Sequence, residues 1–292
     1  HPSGLLPAGP RRMVQHDRMQ AWPRTRWWLH CTDAMGRLLH KEFNAVARLR
    51  AGLVHLGASA AVAALAAALV FVIWYPTPYR EISGGRELFL IVVAVDVVLG
   101  PLITFAVFNP RKPRAELVRD LSVVVLLQLA GLAYGLHTVA QARPAVVALE
   151  GSRLRVVRAI DLAEADLGRA PAPLQLLSWS GPTLVAARPP TGEERLEAIE
   201  RGLAGEDIGL RPEFWLPPEQ ARQAFARAAM PLDRLRRMRP SRQADLDRAV
   251  VAVGRSAEQL GYLPILARRT DWSALVDRTS GEVVGYVDIE GF

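Results

Sequence analysis

The sequence predicts a membrane α-helical region of three transmembrane helices followed by a C-terminal soluble α+β domain with a mainly antiparallel sheet. Three observations carry this. Long apolar blocks crowd between Leu53 and Val139 and thin out on either side. The net charge of +7 is confined to the half that holds those blocks: residues 1–143 carry 16 Lys+Arg against 8 Asp+Glu, and residues 144–292 carry 20 against 21. After Arg143-Pro144 the pattern changes to short β-like runs and charged amphipathic stretches. The organisation that follows is a basic, partly disordered N-terminal arm over 1–50, a transmembrane region over 51–141 and the soluble domain over 142–292.

The arm carries Pro2, Pro7, Pro10 and Pro23 and several arginines without an amphipathic period, and Met35 reads as a candidate initiator. The first span is Leu53 to Tyr75, 23 residues without a formal charge. At about 1.5 Å per residue it exceeds the roughly 30 Å hydrocarbon core. It ends in Trp74-Tyr75-Pro76-Thr77-Pro78-Tyr79, where amphipathic rings suit the headgroup layer and the prolines stop the helix. The second span is Leu88 to Phe108 and the third Leu121 to Val139. A cleaved signal peptide is disfavoured, because the first apolar stretch is long and two more follow.

Cationic flanks predict the orientation, since Lys and Arg are retained on the cytoplasmic side. Arg37, Lys41, Arg48 and Arg50 precede the first span, and Arg111, Lys112, Arg114 and Arg119 lie between the second and third. The first loop holds only Arg80 and Arg86, offset by Glu81 and Glu87. The N-terminus is therefore expected in the cytoplasm and the C-terminal domain in the periplasm, with the spans in a bacterial inner membrane. Clustered cations beside spans need no nucleic acid, and none is expected as a partner.

Two features stand out within the spans. Asp96 sits mid-span in Val95-Asp96-Val97-Val98-Leu99-Gly100-Pro101, where an ionised carboxylate costs at least ~3 kcal/mol. Pro101 lacks an amide proton and frees the carbonyl four residues before it. Asp96 is either a proton relay or partner contact, or it is tied to Gln128, Tyr134 or another polar group inside the bundle. Gly131 and Gly135 make a small-xxx-small face on the third span that packs closely, internally or against a foreign helix.

In the soluble domain, Ala145 to Leu149 and Leu154 to Ile160 read as a hairpin, and Pro182 to Arg188 as a further strand. Helices are expected at Glu193 to Leu203, Pro218 to Met230 and Ser241 to Leu260, then strands at Leu263 to Arg268, Ser273 to Asp277 and Val283 to Ile289. Thr279-Ser280-Gly281-Glu282 supplies the last turn. The basic run Arg234, Arg236, Arg237, Arg239 and Arg242 reads as a solvated face, with lipid headgroups or an acidic partner as the alternative.

Chemistry is sparse. None of the six histidines falls in the domain and Cys31 is the only cysteine, which excludes Ser-His-Asp and Cys-His machinery and the usual zinc sites there. No Walker loop, GxGxxG or GxSxG occurs. The chain is read as a non-enzyme with no cofactor and no metal. A carboxylate-only periplasmic enzyme and a small transporter or channel subunit using Asp96 are the rival readings.

Residues 55–157 resemble the TfpX/TfpZ family of type IV pilin accessory proteins. The resemblance rests on Trp74-Tyr75-Pro76 with Pro78-Tyr79, Gly84-Gly85, Val95-Asp96 with Leu99-Gly100-Pro101-Leu102, Lys112, Asp120-Leu121, Gln128, Tyr134-Gly135 and Ala142-Arg143-Pro144. It implies a chaperone-like inner-membrane accessory factor for type IV pilin. Such a protein would bind the major pilin, through its transmembrane helix and its periplasmic head, and modulate its stability or its incorporation into the pilus. The contact candidates are Asp96, Gly100, Pro101, Trp74, Tyr75, Pro76, Tyr79, Gln128, Gly131, Tyr134 and Gly135.

Overall fold

The computed structural model describes residues 26–162, 164–268 and 272–292, so expectations for residues 1–25 lie outside it. The chain divides into two compact units, residues 1–47 and 48–292. The described part of the first is helical, within α1 (Arg26–Ala68), although residues 1–50 read as a partly disordered arm.

Three helices are long and apolar enough to cross a membrane: Ala45–Trp74, Gly85–Val107 and Arg114–Gln141. The first comprises the end of α1 and a π-helical turn, Leu69–Trp74, closed by the Tyr75 N–H donating to the Val70 carbonyl at 2.7 Å. The short α2 (Tyr79–Ile82) fills the first loop. Next come α3 (Gly85–Val107), which runs through Pro101, and α4 (Arg114–Gln141). Little of these spans is buried within the chain, and Leu65, Val72, Ile91 and Leu127 all face outward. A surface so apolar is suited to lipid, where only internally bonded backbones such as helices persist.

Only Ala142 and Arg143 separate α4 from β1 (Pro144–Glu150), which turns through Gly151 into β2 (Arg153–Arg158) as the expected hairpin. The one-turn α5 (Glu164–Leu167) precedes β3 (Thr183–Ala186), α6 (Glu194–Leu203) and α7 (Pro218–Ala228). The chain then forms β4 (Met230–Pro231), α8 (Leu232–Met238), α9 (Gln243–Val253), β5 (Leu260–Leu266), β6 (Trp272–Asp277) and β7 (Val283–Val287).

The strands form one sheet in the order β3-β1-β2-β5-β6-β7, with β4 also on β5. The expectation of a mainly antiparallel sheet is corrected here, because the sheet is mixed. Its hairpins are antiparallel, but β1 pairs β3 in parallel and β2 pairs β5 in parallel. Both parallel joins lie between strands distant in sequence, where no turn dictates direction.

β1 and β5 are covered on both faces, which is why they carry near-continuous apolar runs. Val147 and Leu149 of β1 pack with Leu263, Ile265, Ala274 and Val276, and with Ala221 and Phe225 of α7. Between them, Val146 and Ala148 point to a second cluster with Val185 and Trp215. A third cluster joins Leu260, Tyr262 and Leu275 to Leu232 and Leu235 of α8 and Leu246 of α9. α8 lies within the basic run. There Arg236 pairs with Asp233 and Asp247, Arg239 with Glu290 at 2.5 Å, and Arg242 with Asp245 and Asp288. α9 stops at Gly254, whose φ of 70° suits a residue without Cβ.

The last hairpin turns on Asp277, a buried side chain. Its Oδ1 accepts the Ser280 and Thr279 N–H groups at 3.0 and 2.8 Å, and its Oδ2 lies 2.6 Å from Arg255. The Ser280 amide first, then the Thr279 amide and Arg255, hold the carboxyl below the usual range. A lowered folded pKa stabilises in full above the unfolded value near ~3.9, and that contribution fades as pH falls through the folded value. Asp277→Asn should therefore lower stability at about pH 6 and shrink the further loss between about pH 6 and about pH 3, read as urea midpoints.

Candidate functional site

The family-motif residues meet in two places. The first is the seam between α3 and α4. Gln128 on α4 donates through Nε2 to the Asp96 carbonyl at 2.9 Å, so it binds the backbone of Asp96 and not its carboxylate. Gly100 is buried under the same amide: a Cβ there would lie 1.9 Å from Gln128 Nε2. About two turns along the same seam, a Cβ on Gly135 would meet Val92 Cγ1 at 2.4 Å, whereas one on Gly131 would reach only Asp96 Oδ1 at 3.9 Å. The small-xxx-small face thus packs inside the chain at Gly135 and leaves room at Gly131. Pro101 is brought to α1, where its carbonyl would lie 3.4 Å from a Cβ on Gly52, and the His55 ring and the Thr104 hydroxyl share a hydrogen bond of 2.5 Å one turn along.

Asp96 itself is partly buried, and no hydrogen bond or ion pair of its carboxylate occurs among the described residues. Tyr134 on α4 is 76% exposed, its ring turned away from the protein. Asp96, Gly131 and Tyr134 therefore form the part of the seam that stays open.

The second place is the first loop, and here burial decides. Tyr75 and Tyr79 are 0% and 3% exposed, so their rings lie in protein and not in a headgroup layer. The Tyr75 ring lies where a Cβ on Gly85 would be 2.4 Å away, and its hydroxyl donates to the Val139 carbonyl at 3.0 Å, locking the start of α3 and the end of α4. Gly84, with a φ of 74°, makes the turn that presents Gly85. Tyr79 and Ile82 enter the sheet's core cluster. The Tyr79 hydroxyl meets that of Tyr286 in β7 at 2.8 Å, with the rings edge to face at 5.8 Å. Burial pushes both phenols above their ordinary values, so the pair is neutral.

Trp74 completes the second place with a residue that sequence reasoning missed. Its ring lies 6.4 Å from that of Trp179, over which the Arg143 guanidinium sits at 4.3 Å. Gly181, at a φ of 68°, donates its N–H to the Ile73 carbonyl at 2.8 Å, and a Cβ there would stand 3.2 Å from Pro76. Nothing local marks Trp179, Gly181 or Tyr286, because their partners are distant in sequence. Between α3 and α4, Lys112 and Asp120 close the other loop with an ion pair of 2.6 Å.

If three helices cross a bilayer, the first loop and the segment after the third must share a side. The contacts of Tyr79, Ile82 and Pro76 with the domain meet that requirement.

The domain has a cleft of about 450 Å³ lined by two carboxylates, Glu150 and Asp207. Both acids are already engaged. Arg153 reaches Glu150 at 3.3 Å and Asp207 at 3.4 Å, Arg155 bonds both, and Gly209 N–H donates to Glu150 at 3.0 Å. Among the described residues no group of His, Cys, Asp and Glu is arranged to hold a metal ion.

Comparison with known proteins gives a consistent set of relatives. The family described as fimbrial assembly protein FimB matches residues 43–84, which hold the first span and the first loop. The fimbrial assembly protein of serogroup I from Dichelobacter nodosus is 31% identical over 242 residues, covering 82% of this chain and 94% of that protein. The serogroup E1 protein of the same organism is 30% identical over the same shares. The protein of serogroups C1 and C2 is 38% identical over 117 residues, 40% of this chain and 89% of its own length. No solved structure matches.

The seam makes a contrast between its two glycines. Gly135→Ala should lower the melting temperature in detergent, since Val92 is branched and held on a helix, while Gly131→Ala should leave it nearly unchanged. Equal melting temperatures for the two variants would show that Val92 and Gly135 are not in contact.

Proposed function

This chain belongs to the fimbrial assembly protein family, a type IV pilus accessory family, and from that premise we propose that it is an inner-membrane assembly factor that binds the major pilin. Its N-terminus lies in the cytoplasm and its sheet domain in the periplasm, as the cationic flanks of the spans direct. A pilin waiting in the membrane is a single long helix with a globular head outside. A bundle joined rigidly to a domain on one side is shaped to touch both parts.

The observation that carries this reading is the unpartnered Asp96 carboxylate in the open seam between α3 and α4. A mid-span charge persists when something compensates for it. Gln128, the nearest amide, is committed to the backbone. A pilin helix placed along the seam would offer an N-terminal amine or a buried polar side chain to the carboxylate, with Gly131 permitting close approach and Tyr134 flanking it. The rigid wall of this notch is the buried pairing of Gly100 with Gln128 and Gly135 with Val92. A transporter subunit finds less support, because no hydrogen bond or ion pair links the Asp96 carboxylate to a second titratable group among the described residues.

Asp96→Asn and Asp96→Ala are expected to reduce recovery of pilin with the tagged protein, and to reduce surface pili, while the variants accumulate in the membrane at the normal level. Wild-type recovery and normal piliation in both would remove Asp96 from the pilin contact.

A further inference from the structure

We infer that the segment Leu176–Trp179, with Ile160, is a membrane-seated foot: it rests in the interfacial layer of the bilayer beside the ends of the first and third spans and lays the domain onto lipid. The inference rests on the helices crossing a bilayer, and not on any role for pilin.

Depth is the first argument. Gly181 N–H bonds the carbonyl of Ile73, one residue from the end of the first span. Trp179 stands by Trp74 and under Arg143, which closes α4 by donating to the Ala140 carbonyl at 2.8 Å. Ile160 follows Ala159, whose N–H donates to the Arg143 carbonyl at 3.0 Å. The segment is thereby held at the level where two spans leave the hydrocarbon.

Exposure is the second. Leu176, Trp179 and Ile160 are 86%, 64% and 62% exposed, beside the buried Leu174 and Ala159. The exposed flank of the span they adjoin, Val72 and Ile73, is itself apolar and outward-facing. An apolar surface on a span, with exposed apolar side chains on the domain segment that Gly181 and Trp179 hold against that span, has lipid as its occupant. Trp179 suits such a layer, with an apolar body backed by the buried Arg143 guanidinium and an indole N–H able to face the headgroups.

The test uses the full chain with Cys31→Ser and one new cysteine at a time, labelled with an environment-sensitive fluorophore and reconstituted in phosphatidylcholine–phosphatidylglycerol vesicles. Leu176→Cys and Ile160→Cys probe the foot, and Leu126→Cys probes a lipid-facing point of α4. Leu203→Cys is the aqueous reference. It is 87% exposed on α6, and the loop after it meets the end of β1 that lies about 20 Å from Pro144. Spin-labelled lipid should quench the labels at 176 and 160 at least about threefold more than the label at 203, with iodide doing the reverse. Labels at 176 and 160 that match 203 while 126 is lipid-quenched would overturn the foot alone. A label at 126 open to iodide would overturn the membrane reading and the foot with it.

Discussion

The rest of the structure depends on the burial of the first loop inside the domain. Tyr79 and Ile82 lie at 3% and 0% exposure in the sheet's core cluster, and placing each such side chain out of water is worth about 1.5–3 kcal/mol. The loop is short and closed at both ends by helices, so burying it fixes the ends of all three spans relative to the sheet. Tyr75 holds the start of α3 and the end of α4, Tyr79 holds β7, and Pro76 faces Gly181. With only Ala142 and Arg143 between α4 and β1, the domain is joined to the bundle through its core and not through a tether.

Much of the architecture was legible from local pattern. Spans announce themselves by length and composition, the β1–β2 hairpin by its Gly151 turn, and the Asp277 hairpin by its polar turn residues. What was not legible is non-local. The parallel joins β1–β3 and β2–β5 connect segments far apart in sequence, and no residue in either strand encodes the direction of its neighbour. The arginine run hid α8, because its apolar residues Leu232 and Leu235 are few and the charges around them pair with acids brought in from α9 and the C-terminal segment. Gly254 ends α9 well before the Leu260 expected from the amphipathic pattern alone.

The site was half legible in the same sense. Trp74, Tyr75 and Tyr79 at the end of a span read as rings for the headgroup layer, since composition does not distinguish an aromatic that meets lipid from one that meets its own domain. The seam was clearer: Asp96, Gly100, Gln128 and Gly135 were each singled out, and the structure brings all four onto one helix pair. The FimB match over residues 43–84 falls on the first span and the loop that docks, the part that joins the two regions.

The Tyr79–Tyr286 contact also carries a consequence for the order of events during synthesis. The two residues are 207 positions apart. At roughly 5–20 residues per second, the ribosome needs roughly 10–40 s after making Tyr79 before its partner exists. Throughout that interval the Tyr79 ring has no β7 to pack against. The nascent chain therefore passes through a state in which the three long helices are made and the loop still lacks its cover, and the closing strand seals the molecule from its last-made end.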